Sequence, residues 1–398
     1  LMHDRVILRA LDDSIVRVIA NKPRVLRRAR GYAPLPIPLT VDSNMLALGG
    51  HLKSSWALSY QGYVLLSQYL GDMYSLASQE HFRQSLIDAQ CFYKVPAKRL
   101  IHDQHPDYFT SHYAAQSALP SMAVQHHYAH AFSCMAEHQL KPPVLAVTWD
   151  GTGLGADNSS WGGEFFLIKS ESIARFAHIK PLLLVGGDKA NKEPRRVAVA
   201  ILYQLFGEQW QTEARHLACV QAFTANELQV LAMALKNKLN TPQSSSMGRL
   251  FDAVASLLNL CQINEYEGQA ASCLEAVASL SNSTEIYACP FISGQPIIID
   301  WQEIFQQILA DLPVLSAELI AAKFHNTLAD IVLRIAQQAG EQQIVLSGGC
   351  FQNATLTEKV HQVLDNAGFQ VYSHEQIPSN DAGLALGQLY YTHFYKNE

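Results

Sequence analysis

The sequence predicts an α/β protein built on a duplicated domain, with a helical insertion in its second copy. Three observations carry this. A short apolar strand running into a glycine turn occurs twice, at Met45–Gly50 and at Val144–Trp149 followed by Asp150-Gly151-Thr152-Gly153. Each is followed by two further alternating strands and then helical sequence, a repeat of strand-strand-strand-helix-strand-helix. The chain also has the material for a large core: 48% of its 398 residues are apolar and 16% charged, against roughly 25% charged in an average soluble domain.

Residues 1–40 differ in character from the rest of the chain. A candidate strand at Val6–Ala10 has no partner nearby, and Arg17, Arg24, Arg27, Arg28 and Arg30 form a basic stretch. Ala33-Pro34-Leu35-Pro36-Ile37-Pro38 reads as a polyproline-like connector. The expectation is therefore the tail of an upstream domain plus a linker at 1–40, a first half at 41–143 and a second half at 144–398.

In the first half, Met45–Gly50, Trp56–Ser59 and Tyr63–Gln68 read as strands, with Gln61-Gly62 at the turn. Helical sequence covers Ser75–Phe92, a strand Ser121–Gln125 and a helix His127–Gln139. In the second half Val144–Trp149, Trp161–Lys169 and Ile173–Leu182 repeat the three strands. An insertion at about 189–285 has helical periodicity in Arg196–Phe206, Ala225–Leu239 and Leu250–Leu260, with a plain loop at Thr241–Ser246. The half closes with strand Gln343–Ser347, helix Phe351–Ala367, strand Gln370–Ser373 and helix Ala382–Phe394.

Composition excludes several classes. The net charge of −6 (29 Lys and Arg against 35 Asp and Glu) argues against a nucleic-acid binder working by bulk charge. No apolar run approaches the 18 or so residues of a spanning helix, and Leu1–Arg5 does not open a signal peptide. Seven scattered cysteines without a CxxC pair exclude a disulfide framework and a cysteine-based zinc finger, and fit a reducing cytoplasm.

Several motifs have chemical potential. Sixteen histidines are many for this length. Among them His126 and His130, at i and i+4 on one helix face, can chelate one metal ion or form a plain histidine cluster. Cys134 and His138 continue the stripe, whereas His127 points away and reads as structural. A metalloprotease is disfavoured, because His127 stands where H-E-x-x-H needs its Glu. Asp150-Gly151-Thr152-Gly153 after an apolar strand offers backbone N–H groups to phosphate and a carboxylate to a cation or water, or is an ordinary glycine hairpin. It is neither a Walker A loop nor a dinucleotide fingerprint. Ser347-Gly348-Gly349-Cys350-Phe351-Gln352-Asn353 turns from a strand into a helix, the place for a nucleotide. Asp381, in Asn380-Asp381-Ala382-Gly383, starts a helix and can equally be its N-cap. Gly186-Gly187-Asp188 with Glu193–Arg196, and Glu265–Ala271, are further polar clusters.

In their order along the chain these motifs resemble actin-like (ASKHA, ribonuclease H-like) nucleotide-binding domains. More closely, the chain resembles the HypF carbamoyltransferases that mature NiFe hydrogenases. The residues concerned are Asp12–Ser14, Leu26–Pro34, Leu46–Gly50 with Lys53, Ser67–Asp72, His102–Tyr108, His126–His130, Trp149–Gly153, Gly186–Asp188, Glu193–Arg196, Phe251–Ala255, Glu267–Ala271, Ser347–Asn353 and Asn380–Gly383. The resemblance implies that an upstream YrdC-like domain makes carbamoyl-adenylate from carbamoyl phosphate and ATP. This chain would pass the carbamoyl group to the C-terminal Cys of HypE, with 1–40 as the tail of that upstream domain. It also implies a metal held by His126, His130, Asp150 and Asp381, iron or zinc, with magnesium a further candidate. Nucleotide contacts would come from Gly151, Thr152, Gly153, Gly163, Gly187, Asp188, Glu267, Gly348, Gly349 and Asn353, with Lys53 and Arg195 on phosphate. Cys350 would be packing, since the nucleophile belongs to the partner. The location implied is cytoplasmic, with neither nucleic acid nor membrane as partner. The family's acylphosphatase-like domain and zinc modules do not appear in this sequence. Competing readings are an O-carbamoyltransferase acting on a small molecule, a non-catalytic nucleotide-regulated binding module, and a sugar kinase, which leaves the His pair without a role.

Overall fold

A computed structural model describes Asp4, Arg5 and residues 9–395 of the chain. Two units emerge: residues up to Leu140 together with those from Ser373 onward, and Lys141–Tyr372.

The first unit opens with a hairpin of β1 (Ile15–Ile19) and β2 (Lys22–Arg27). Ala20 and Asn21 both have positive φ at its turn, the conformation that a two-residue hairpin loop requires. This is the basic stretch of the sequence: Arg17, Arg24 and Arg27 sit on strands whose alternation their charge obscured, and Arg28 and Arg30 follow β2. Val6–Leu8 of the candidate strand lie outside the described residues, and Arg9 and Ala10 are not in a strand. The expected polyproline connector contains β3 (Pro36–Pro38).

Next come β4 (Met45–Ala47), β5 (Ala57–Tyr60), β6 (Tyr63–Leu66), β7 (Arg99–Asp103) and β8 (Ser121–Val124). They form one sheet in the order β3-β6-β5-β4-β7-β8. Pairing is antiparallel from β3 to β4 and parallel at β4-β7 and β7-β8. Strand β7 and the helix Phe109–Ala115 after it were not foreseen. β7 has only Leu100 and Ile101 as its apolar centre, and its partners lie far away in sequence.

The helix His126–Glu137 is buried from His126 to Ala136 except at Tyr128. It packs against the C-terminal helix Leu384–Phe394, with Phe132 edge-on to Tyr391 at 5.3 Å between ring centroids. The expected second half therefore loses its last segment, because aromatic packing ties Ser373 onward to the first unit.

The second unit holds β9 (Val144–Leu154), β10 (Ser160–Lys169), β11 (Ser172–Ile179), β12 (Leu182–Leu183), β13 (Gln243–Ser244), β14 (Phe291–Ile292), β15 (Ile297–Ile299), β16 (Gln343–Ser347) and β17 (Gln370–Ser373). Its main path is β14-β15-β11-β10-β9-β16-β17. Val144–Trp149 are fully buried, as befits a strand covered on both faces. Between β11 and β16 lie helices including Pro194–Phe206, Ala225–Lys236, Met247–Leu257, Gln269–Ala278 and Ala317–Ala339. Thr224 and Glu227 form a capping box at the Ala225–Lys236 helix. The supposed plain loop at Thr241–Ser246 contains β13, whose Ser244 pairs with Ser160 of β10.

Both units share one plan. Numbered by their five common strands, β6-β5-β4-β7-β8 and β11-β10-β9-β16-β17 both run in the order 3-2-1-4-5. This is the duplicated ribonuclease H-like, actin-type α/β fold, with a helical insertion in the second copy.

The helix crossing in the first unit allows no side chain at Gly387. A Cβ there would stand 1.8 Å from the Ala129 carbonyl oxygen and 2.7 Å from the Ser133 nitrogen. Gly387→Ala is expected to cost about 3 kcal/mol or more, the upper range of core overpacking, although alanine is the better helix former. Denaturant unfolding of the two proteins measures it.

Candidate metal centre and glycine turn

The site in the first unit begins with a cap. The Gln125 side chain accepts from the Tyr128 N–H at 2.9 Å, fixing His126 at the first position of its helix. His126 and His130 then lie one turn apart with ring centroids separated by 4.9 Å, and both are 1% exposed. The third member, Asp381, begins a short 3-10 turn, Asp381–Gly383. The cap of that turn is Asn380, whose side chain accepts from the Ala382 N–H at 3.1 Å. Asp381 is thus released from the capping role its position suggested.

Its Oδ1 lies 3.5 Å from His130 Nε2 and 3.9 Å from His126 Nε2. One ligand atom from each of the three residues falls within 4.8 Å of the others. These separations exceed the ordinary hydrogen-bond range. They are close to the ~3.4 Å edge expected between two atoms each about 2.1 Å from a tetrahedral ion. Two imidazole nitrogens and a carboxylate oxygen suit zinc or iron equally. His127 is fully buried beside Gln125, its Nδ1 3.2 Å from the amide nitrogen. His138 Nε2 meets the Ser373 carbonyl oxygen at 2.9 Å.

The segment leading to Asp381 is anchored by a carboxylate that the sequence did not single out. Glu137 accepts from the backbone N–H groups of Glu375, Gln376 and Ile377 and faces His374 Nδ1 at 3.1 Å. Burial pushes its carboxyl up, but the His374 ring, the backbone donors and His138 together hold it below its usual range. A second unforeseen residue is Asp103, whose Oδ2 stands 2.8 Å from His126 Nδ1. It lies within the His102–Tyr108 stretch, a signal that was visible without a role. Lys53 sits in the loop before β5 with positive φ, its backbone N–H donating to Asp72 Oδ1.

In the second unit, Asp150–Gly153 is not the expected turn but part of β9, which pairs with β10 through Leu154. Asp150 Oδ1 accepts from the Gly349 N–H at 3.0 Å, joining β9 to the turn after β16. Gly348 has φ +102°, and a Cβ there would lie 2.2 Å from the Trp149 carbonyl oxygen. Only glycine lets the turn after β16 approach β9 this closely. Gly151 and Gly153 continue along β9, and Thr152 Oγ1 lies 3.1 Å from Ser160 Oγ. Gly163 is buried in β10 against the Ser245 carbonyl. Ser246 Oγ donates to the carbonyls of Asp150 and Gly151, and Arg249 Nη2 would be 3.8 Å from a Cβ on Gly151.

Other expected residues have different surroundings. The Arg195 guanidinium is bound to Glu193 and the Ala222 carbonyl and stacked 4.1 Å over the Phe223 ring, so it is spent on protein groups. Gly187 adjoins Asn240, and Asp188 and Glu267 are exposed. Asn353 caps the helix Ala354–Asn366 through Oδ1 and meets His325 Nε2 at 3.0 Å through its amide nitrogen. Burial raises the Cys350 thiol well above its ordinary value, consistent with packing.

The fold and these residues define the class: a duplicated actin-type protein with an imidazole–carboxylate cluster in one unit and a strand aspartate against a glycine turn in the other. A family profile described as the HypF Kae1-like domain matches residues 40–137, and one described as carbamoyltransferase, Kae1-like domain, second subdomain, matches 146–388. Carbamoyltransferase HypF of Synechocystis sp. is 38% identical over 403 residues, covering 98% of this chain and 52% of the relative. A carbamoyltransferase HypF homolog of Cupriavidus necator is 34% identical over 358 residues, covering 86% of this chain and 90% of the relative. Among solved structures, full-length HypF in its phosphate- and nucleotide-bound form superposes with a TM-score of 0.90 at 34% identity, covering 96% of this chain and 51% of that one. HypF of T. kodakarensis gives 0.91 at 31%, covering 97% and 52%. The chain belongs to the HypF carbamoyltransferase family, and it spans about half the length of most of the curated relatives it matches. No described helix is long and apolar enough to cross a membrane.

The His325–Asn353 pair makes stability depend on pH. Burial lowers His325 to about 4, partly opposed by its bond to the Ala321 carbonyl. The unfolded chain, with an ordinary His near 6.5, binds more protons between these values, so stability is present above about pH 6.5 and lost as pH falls toward 4. Denaturant titrations from pH ~7.5 to ~4.5 are expected to show this loss, with a shallower slope in His325→Gln.

Proposed function

We propose that this chain carries the carbamoyl-transfer step of its family. It would receive carbamoyl-adenylate, made from carbamoyl phosphate and ATP by a YrdC-like domain, and deliver the carbamoyl group to the C-terminal Cys thiolate of HypE. The observation that carries this reading is the meeting of His126, His130 and Asp381 with one ligand atom each inside 4.8 Å. The ion, when bound, would supply positive charge that offsets the phosphate of the adenylate.

The protein's own residues would do the rest. The glycines Gly151 and Gly153 of β9 and the turn at Gly348–Gly349 would let backbone N–H groups approach the nucleotide phosphate. Arg249, held by Asn191 and Asp252 and near Gly151, would join Lys53 and Arg195 as a candidate for phosphate contact. The partner sulfur attacks the carbonyl carbon; a C–S bond forms, the bond from that carbon to the phosphate oxygen breaks, and AMP leaves with the electron pair. With AMP as leaving group and the thiolate already deprotonated, no side chain of this chain needs to act as nucleophile. That agrees with the raised Cys350 thiol.

Metal analysis of the purified chain beside His126→Ala and Asp381→Ala tests the site. About one zinc or iron per chain, lost in both variants, is the expected outcome; metal retained by either variant sinks it. Transfer is tested by supplying carbamoyl-adenylate and a peptide ending in Cys, with AMP release and a carbamoylated thiol as readouts. Release of AMP with a sugar hydroxyl but not with the thiol would instead indicate O-carbamoyl transfer.

A further inference from the structure

We propose that Asp103 is a positioning residue for the metal centre: it selects the Nδ1–H tautomer of His126 and so turns the Nε2 lone pair toward His130 and Asp381. This rests on the metal reading above, and the two can fail separately.

The placement of Asp103 comes from sheet register. It is the last residue of β7 and pairs with Val124, the last residue of the parallel strand β8. One residue, Gln125, then separates Val124 from His126 at the start of its helix. Adjacent parallel strands therefore deliver Asp103 to the His126 ring although 23 positions separate them. Both partners are buried, with side-chain exposures of 1% and 0%.

Asp103 is itself held on several sides. Its Oδ1 accepts from the His105 N–H at 2.9 Å, leaving Oδ2 for His126 Nδ1 at 2.8 Å. Its carbonyl oxygen accepts from Ser111 Oγ at 2.9 Å and lies 2.8 Å from His102 Nδ1. Rotating the carboxylate away from His126 would break the His105 bond, so the acceptor is preorganised. A carboxylate has only acceptors to offer, so the neutral ring facing it carries its proton on Nδ1. Nε2 is then the basic nitrogen, and it is the atom on the Asp381 side. A carboxylate behind a metal-binding histidine in this way fixes ring orientation and raises ligand basicity.

A purely structural Asp–His pair would satisfy the same 2.8 Å contact, so the test must read what only positioning changes. The whole chain is stripped of metal, and its zinc affinity is measured by competition with a chromophoric chelator. In parallel, the tautomer of His126 is read in the zinc-free protein at pH ~8 by NMR of nitrogen-15-labelled histidine. Asp103→Asn keeps size and one acceptor but also offers an N–H donor, so it removes the selection. The expectation is an Nδ1–H ring in the native chain, a mixed ring in Asp103→Asn, and zinc binding weakened about 10- to 100-fold. Native affinity together with an unchanged tautomer in Asp103→Asn overturns the proposal while leaving the metal site standing. An Nε2–H ring in the native chain overturns it too, and needs no variant to fold. Native zinc affinity in either His126→Ala or Asp381→Ala would remove the metal reading instead.

Discussion

The first unit depends on one close crossing. The helices His126–Glu137 and Leu384–Phe394 approach until Gly387 lies against the backbone at Ala129 and Ser133. Four residues earlier, Gly383 leaves room for the Pro378 carbonyl and the Ser133 side chain, and Ser133 Oγ donates to its carbonyl at 2.8 Å. Asp381 stands two residues before Gly383, so the crossing sets its distance to the two histidines. A wider separation of these helices would leave the imidazoles in place and carry the carboxylate away. Burial of the helix and assembly of the cluster therefore have one cause, the absence of side chains where the backbones touch.

Around that crossing, buried charge is used to hold backbone. Glu137 gathers three successive N–H groups from the segment that leads to Asp381, and Arg24 donates to the His374 carbonyl and to Ser373 Oγ on the same segment. Arg28, lowered to about 10 by burial, donates to the carbonyls of Leu66 and Leu35. Hydrogen-bonded charges of this kind are costly to strip of their partners, which favours one arrangement of the loops flanking the cluster. In the second unit glycine does the corresponding work: the turn after β16 meets β9 because Gly348 and Gly349 leave room for Trp149 and Asp150.

Much of this was legible in the residues. The strands Gln343–Ser347 and Gln370–Ser373 were read to the residue, and most others within a few positions, because apolar alternation bounded by Gly or Asn is a local signal. The His126–His130 face was equally local, since i and i+4 meet on any helix. What escaped was non-local. Strand β7 is too short and polar at its ends to announce itself, and its two parallel neighbours are 50-odd and 20-odd positions away. The β1–β2 hairpin was masked by arginines on its strands. The surroundings of Arg195 were hidden for a similar reason: a guanidinium in a sequence does not show that Glu193 and Phe223 pack against it.

By itself the sequence determined the duplicated α/β plan, the helical insertion, the histidine pair and the glycine turn after Gln343–Ser347, because each arises from the periodicity or turn chemistry of a short window. The turn expected at Asp150–Gly153 is instead part of β9, which runs on to Leu154 by pairing with β10. Tertiary structure alone decided that Ser373 onward joins the first unit, that Asn380 takes the cap and releases Asp381, and that Asp103 stands behind His126. These depend on helix crossing and parallel strand register, which bring together residues whose separation in the chain has no bearing on their separation in space.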